Sequence, residues 1–176
     1  MRTALSIAGV AIFVLTAAGT ALAQGSGAEA RLKQLNITLP ADQAPAANFV
    51  NAVQAGKLLF LSGNTPGGQW PLKGKVGKDL TIEQGHESAR QTGLIMLGKI
   101  RTALGSLDRV KRVVKVLGMV NSADGFSDQP KVVNGFSDLM VEVFGEAIGK
   151  HARSAVGMAG LPGNAPIEVE MIVEVE

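Results

Sequence analysis

Two neighbouring segments decide the fold: His-Ala-Arg-Ser-Ala-Val-Gly-Met-Ala at 151–159 and, after a Leu-Pro-Gly-Asn turn at 161–164, Ile-Glu-Val-Glu-Met-Ile-Val-Glu-Val-Glu at 167–176. Both read as strands, in which successive side chains point to opposite faces. In the first, Arg153, Ala155 and Gly157 share one face and Ser154, Val156 and Met158 the other. The small neighbours leave open room in front of the arginine. In the second, Ile167, Val169, Met171, Val173 and Val175 alternate with Glu168, Glu170, Glu174 and Glu176, and only Ile172 interrupts the polar face. That is the pattern of a half-buried antiparallel strand. The turn between them predicts a hairpin, which would set Arg153 near Glu168 on one sheet face. An arginine offers a planar fork of donors that suits a carboxylate, and a glutamate can take a proton or hold a water. The pair therefore suits a small organic acid. It equally suits an ordinary cross-strand ion pair, which is common and weak.

Upstream, Val132, Val133, Phe136, Leu139, Met140, Val143 and Phe144 recur at helical spacing between a cap at Ser127 or Asp128 and a stop at Gly145. Residues 110–120 carry Val113, Val114, Val116, Leu117, Met119 and Val120 with little polar surface, as an interior strand does. Thr81 and Gln84 have the spacing of a capping box, and Ala89, Gly93, Met96, Leu97, Ile100 and Leu104 follow before Gly105, predicting a helix over 82–104. Residues 49–53 and 57–61 read as a hairpin. The stretch 65–79, with four glycines, two prolines and Trp70, is a loop to which 74–78 adds at most an edge strand. Trp70 either covers a pocket or packs that loop down. The order hairpin, helix, strand, helix, hairpin is α+β, with one sheet and both helices on one face. No helix remains for the other face, which carries Val, Met and Leu as well as charges, and this predicts a homo-oligomer.

Residues 1–23 have the form of a secretory signal peptide: Arg2, an apolar run over 5–15, and Ala-Leu-Ala at 21–23. Cleavage after Ala23 predicts a periplasmic or secreted protein with no membrane attachment. Residues 24–48 read as a helix over 28–35 followed by an extended arm, and 49–176 as a single domain. With 17 Lys and Arg against 15 Asp and Glu, and only Arg2 in the leader, the mature chain stays near neutral. No basic run is interleaved with aromatics, so nucleic acid is not an expected partner. The absence of cysteine excludes disulfides, thiolate nucleophiles and cysteine metal sites. No phosphate-binding glycine loop, nucleophile elbow or zinc helix occurs. His86 and His151 read as solvated rather than metal-binding, and Gly135 as a close-packing position within its helix.

Ser62-Gly63-Asn64, Val133-Asn134-Gly135, Ala152-Arg153-Ser154-Ala155-Val156, Leu161-Pro162 and Ile167-Glu168-Val169-Glu170 stand in an order and spacing that resembles the reactive intermediate deaminase (Rid, or YjgF-like) family, in an exported variant. The likeness extends over residues 45–175. It implies a chorismate-mutase-like α+β fold and a homotrimer with sites in the clefts between subunits. It further implies that Arg153 binds a substrate carboxylate while Glu168 orients the water attacking an imine carbon. Enamine or imine acids such as 2-aminoacrylate would become 2-keto acids and ammonia, a hydrolysis of C=N bonds needing no cofactor and no metal. By the same resemblance Ser62, Gly63 and Asn134 line the cleft, the backbone at Ala155 contacts substrate, and Phe49 stands beside it. Many members carry Cys at the position of Ala155 and Tyr at that of Phe49. The alternative is a non-catalytic module that binds small carboxylates or protects partner proteins. Binding needs only the arginine, whereas turnover needs Glu168 as well.

Overall fold

The computed structural model describes residues 27–176; the leader assigned to 1–23 and its cleavage site lie outside the described residues. In chain order the elements are α1 (Ala28–Gln34), β1 (Ala52–Ala55), β2 (Leu58–Asn64), α2 (Ile82–Leu104), β3 (Val110–Asn121), α3 (Gln129–Phe144), α4 (Glu146–Gly149), β4 (Ala152–Met158) and β5 (Ile167–Val175). The strands form one sheet in the order β1-β2-β5-β3-β4, mixed because β3 and β4 run parallel. The architecture is α+β, as the pattern of elements implies.

Local chemistry sets the helix ends. The Thr81 hydroxyl accepts from the Gln84 backbone N–H (3.3 Å) while the Gln84 side-chain oxygen accepts from the Thr81 N–H (2.9 Å), the reciprocal pair of a capping box. Gly105 ends α2 at φ 79°, where a side chain would be strained. Asp128 precedes α3 without capping it; its carboxylate pairs with Lys131 at 3.1 Å instead. α2 and α3 pack closely because Gly135 lies against the His86 carbonyl with no room for a Cβ. Met96, Leu97, Ile100, Phe136, Leu139 and Met140 are fully buried between these helices and Val113, Val116, Ile167 and Val173 of the sheet.

The expected hairpin of 151–159 with 167–176 does not form. β3 lies between β4 and β5, pairing parallel with β4 (Val116 opposite Arg153) and antiparallel with β5 (Val116 opposite Met171, Met119 opposite Glu168). The reason is the crossover: β3, α3 and β4 form one unit, and a helical connection returns the chain in the same direction, which makes the two strands parallel. That leaves the other edge of β3 for β5. Buried Asn121 at the end of β3 fixes the connecting turn, its side chain donating to Asn164 Oδ1 at 3.0 Å and its backbone N–H to the Pro166 carbonyl at 2.9 Å. In the 74–78 segment only Val76 makes bridges, to Leu80 and Ser122, so no edge strand forms there.

Faces follow from register. Arg153 shares the helix-covered face with Val116, and Glu168 shares the open face with Met119. On the open face Val53, Phe60 and Ile172 stand in one cross-strand row, with Val53 and Phe60 exposed at 55% and 41%.

Candidate active site

Arg153 sits on the edge strand β4, beneath the first half of α3. Its Nη1 donates to Asn134 Oδ1 (2.8 Å) and to Ser137 Oγ (3.0 Å), and Nη2 makes a long contact to the Pro130 carbonyl (3.5 Å). Asn134 and Ser137 lie three residues apart on one face of α3, which aims both at the guanidinium. All three partners are neutral, and among the described residues no carboxylate comes within ion-pair distance of Arg153. Both Nη1 hydrogens are used, so the Nε and Nη2 edge is the one left for a planar acceptor. Ala155, two residues on, is opposite Gly118 and packs at the margin of the core.

His151 is not the solvated residue expected from its surroundings in sequence. It is half-buried, with Nδ1 2.6 Å from the Gly149 carbonyl and Nε2 3.1 Å from Ser137 Oγ. Burial holds its pKa below the ordinary imidazole value; the Gly149 carbonyl works against that shift and the Arg153 charge adds to it. His86 is half-exposed and lies 3.8 Å from Asp138.

Glu168 lies elsewhere, at the start of β5. A bulge in β2 between Leu61 and Asn64 brings Gly63 over its carboxylate, so closely that a Cβ on Gly63 would overlap Glu168 Oε1. No hydrogen bond or ion pair holds this carboxylate among the described residues. Burial, helped by repulsion from Glu170, raises its pKa above the usual carboxylate value. The Ser62 hydroxyl donates to the Val50 carbonyl at 2.6 Å and so braces the bulge. Phe49, 56% exposed, borders the same hollow, a cavity of about 740 Å³ lined also by Gly63, Asn64, Pro162 and Glu168.

The cavity extends beneath the 40–45 arm and the 65–70 loop. Trp70 does both things expected of it, donating from Nε1 to Ser88 Oγ at 2.9 Å, which ties the loop to α2, while its ring lines the cavity. Lys99 forms part of the same wall. It is 8% exposed, donates to Asn51 Oδ1 at 2.5 Å and lies 3.4 Å from Asp42 Oδ1. Nothing in the local sequence marks it, because its burial depends on where the arm is laid.

The seven residues singled out in the sequence thus fall into two groups. Arg153, Asn134 and Ala155 stand on the helix-covered side at the β4 edge; Phe49, Ser62, Gly63 and Glu168 gather around the β2 bulge. Arg153 and Glu168 are separated by two strand spacings and three residues along the strands, about 10 Å in each direction, and point to opposite faces. One small substrate cannot touch both within a chain. Among the described residues no group of three His, Asp or Glu could hold a metal ion, and no helix is long and apolar enough to cross a membrane.

The chain is 47% identical to Protein TCP17 of Trypanosoma cruzi over 149 residues, covering 82% of this chain and 92% of the relative. It is 29% identical to a Dermatophagoides farinae protein named 2-iminobutanoate/2-iminopropanoate deaminase, covering 80% and 95% respectively. A crystal structure of a protein of unknown function from Agrobacterium tumefaciens matches with a TM-score of 0.76 at 40% identity, over 84% of this chain and 91% of that one. Residues 29–175 match the family described as "YjgF/chorismate_mutase-like, putative endoribonuclease". The sheet order, the helices and these matches agree, and the chain belongs to the YjgF/chorismate-mutase-like family.

Proposed function

We propose that this protein hydrolyses imine and enamine acids of the 2-aminoacrylate type to 2-keto acids and ammonia. The site is assembled from two chains of a homotrimer: Arg153, Asn134 and Ala155 from one, and Phe49, Ser62, Gly63 and Glu168 from its neighbour. The observation that carries this reading is a half-buried arginine held only by neutral oxygens. A guanidinium so placed lacks a counter-anion, and a substrate carboxylate on its remaining edge would form charge-assisted bonds worth about 1.5–3 kcal/mol. An enamine first takes a proton from solvent on carbon to become the protonated imine. Water then adds to the imine carbon as Glu168 takes one of its protons and returns it to the nitrogen. The C–N bond breaks to release ammonia, and the remaining hydroxyl proton passes to Glu168 as the C=O forms. A carboxylate whose pKa is raised is better matched to that exchange. The name of the mite relative supports the same chemistry. The exposed Val53, Leu58, Phe60 and Val156 of the open face offer an apolar surface for assembly. The leader at 1–23 supports export, so the substrate would arise outside the cytoplasm. Endoribonuclease activity finds no basic stretch with interleaved aromatics to support it.

The test is complementation between two inactive chains. Arg153→Ala and Glu168→Gln variants should each lose keto acid release from imines made in situ by an amino-acid oxidase. Unfolded together and refolded as mixed oligomers at equal amounts, they should recover about a quarter of wild-type turnover, the chance that an intact arginine meets an intact glutamate across an interface. No recovery from properly assembled mixtures excludes the shared site. Retained carboxylate binding with no turnover by the wild type would leave a binding module instead.

A further inference from the structure

The bond directions around Arg153 reach further than the clamp itself. The Gly149 carbonyl can only accept, so in the neutral ring the His151 hydrogen is on Nδ1, 2.6 Å from that oxygen. Nε2 is then an acceptor, and the hydroxyl 3.1 Å away must donate to it. With its hydrogen committed to His151, Ser137 Oγ turns lone pairs toward Arg153 Nη1 at 3.0 Å. Three bonds thus form a one-way relay from Arg153 through Ser137 and His151 to the backbone at Gly149. Asn134 holds the second Nη1 hydrogen at 2.8 Å.

We propose that His151 is a positioning residue for the carboxylate clamp, acting through Ser137, and that gain of a proton on Nε2 loosens the hold on Arg153 and weakens substrate binding. This rests on the reading of Arg153 as the carboxylate clamp. A protonated imidazole has to donate to Ser137, which turns the hydroxyl hydrogen away and sets two cations on either side of one oxygen. Of the other charged groups on the surrounding elements, Lys150 pairs with Glu146 of α4 (2.8 Å), Asp138 of α3 lies 3.8 Å from His86, and Lys115 of β3 donates to the Ser154 hydroxyl (2.8 Å). Burial first, and then the Arg153 charge, lower the pKa of the ring below the ordinary imidazole value. Binding is therefore expected to hold constant at neutral pH and to fall below the ordinary imidazole range.

The experiment measures calorimetric binding of 2-oxobutanoate to the assembled protein from about pH 5 to about pH 7.5, where this keto acid stays ionised. It is done in a Glu168→Gln background, which removes the other carboxylate that titrates near the ligand. With histidine at 151, affinity should fall as pH drops toward about 5, by up to about tenfold once the ring is protonated, the worth of one hydrogen bond to a charged group. His151→Gln, whose side-chain oxygen can still accept from Ser137 but does not titrate, should bind at the neutral-pH level throughout. His151→Ala should bind about tenfold more weakly at every pH. An unchanged pH dependence in His151→Gln, or full-strength binding by His151→Ala, overturns the proposal. Absence of binding at any pH, with Arg153→Ala no different, overturns the clamp reading and this inference with it.

Discussion

Replacing Gly63 with alanine is expected to stop turnover without harming the fold. Gly63 lies in the extended part of β2, and alanine there restrains the unfolded chain, a gain of about 0.4–1 kcal/mol. The added methyl would stand 3.1 Å from Glu168 Cδ and 3.4 Å from Cγ, and would overlap Oε1. Oε1 ends a flexible side chain that no other group holds, so the carboxylate moves and the strand stays. Restoring ordinary contact requires a shift of about 1 Å. A displacement of that size at the reacting atoms costs on the order of 100-fold in rate, about 2.7 kcal/mol. Arg153 belongs to the other half-site and is untouched, so KM should stay within about threefold while kcat falls. Keto acid release from oxidase-generated imines gives both constants, and a thermal melt gives the stability. A variant that melts at or above the wild-type temperature and still turns over at full rate would refute the role given to the Glu168 carboxylate.

Glu168→Gln has a second consequence. A raised carboxylate pKa means the folded chain holds that proton more tightly than the unfolded chain, so the ionised form costs stability as pH climbs from the ordinary value through the raised one. The variant should match the wild type near about pH 4 and be the more stable at about pH 7 by a fraction of a kcal/mol, since the side chain is only half-buried. A wild type that is the more stable at neutral pH, in urea melts, would mean the carboxylate has a partner. Phe60→Glu places a charge in the middle of the open face, where the ring is 41% exposed. Sedimentation should show monomers and turnover should disappear with the assembly; an intact, active oligomer would show that this face is not the contact.

The elements themselves were legible because their signals are local. The capping box at Thr81 and Gln84, the stop at Gly105 and the apolar spacing of 132–144 each depend on residues within a few turns. The facing of Arg153 against Ser154, and of Glu168 against Val169, was equally readable, since alternation along a strand needs no partner. Strand pairing was not. β3 is apolar on both faces and accepts a neighbour on each edge, and the competition is decided by the crossover through α3, which alternation does not record. The half-buried His151 was missed for a related reason. Its environment is made by Ser137, and that contact exists only once α3 lies across β4. The Arg153 and Glu168 motifs were visible, but that they belong to different sides of the sheet followed only from the register.

β5 comes last in sequence yet fills the place between β2 and β3. During synthesis the hairpin of β1 with β2 emerges early and the crossover pair of β3 with β4 only shortly before β5, as two pieces that nothing yet joins. A two-stranded piece holds poorly in water. The pairing of β2 with β5 spans most of the domain in sequence, and such distant contacts form slowly. At roughly 5–20 residues per second, the ribosome therefore carries an incomplete sheet until residues 167–175 emerge. Until β5 closes the sheet, the unfilled strand edges of such a nascent chain are where it would meet other unfinished chains.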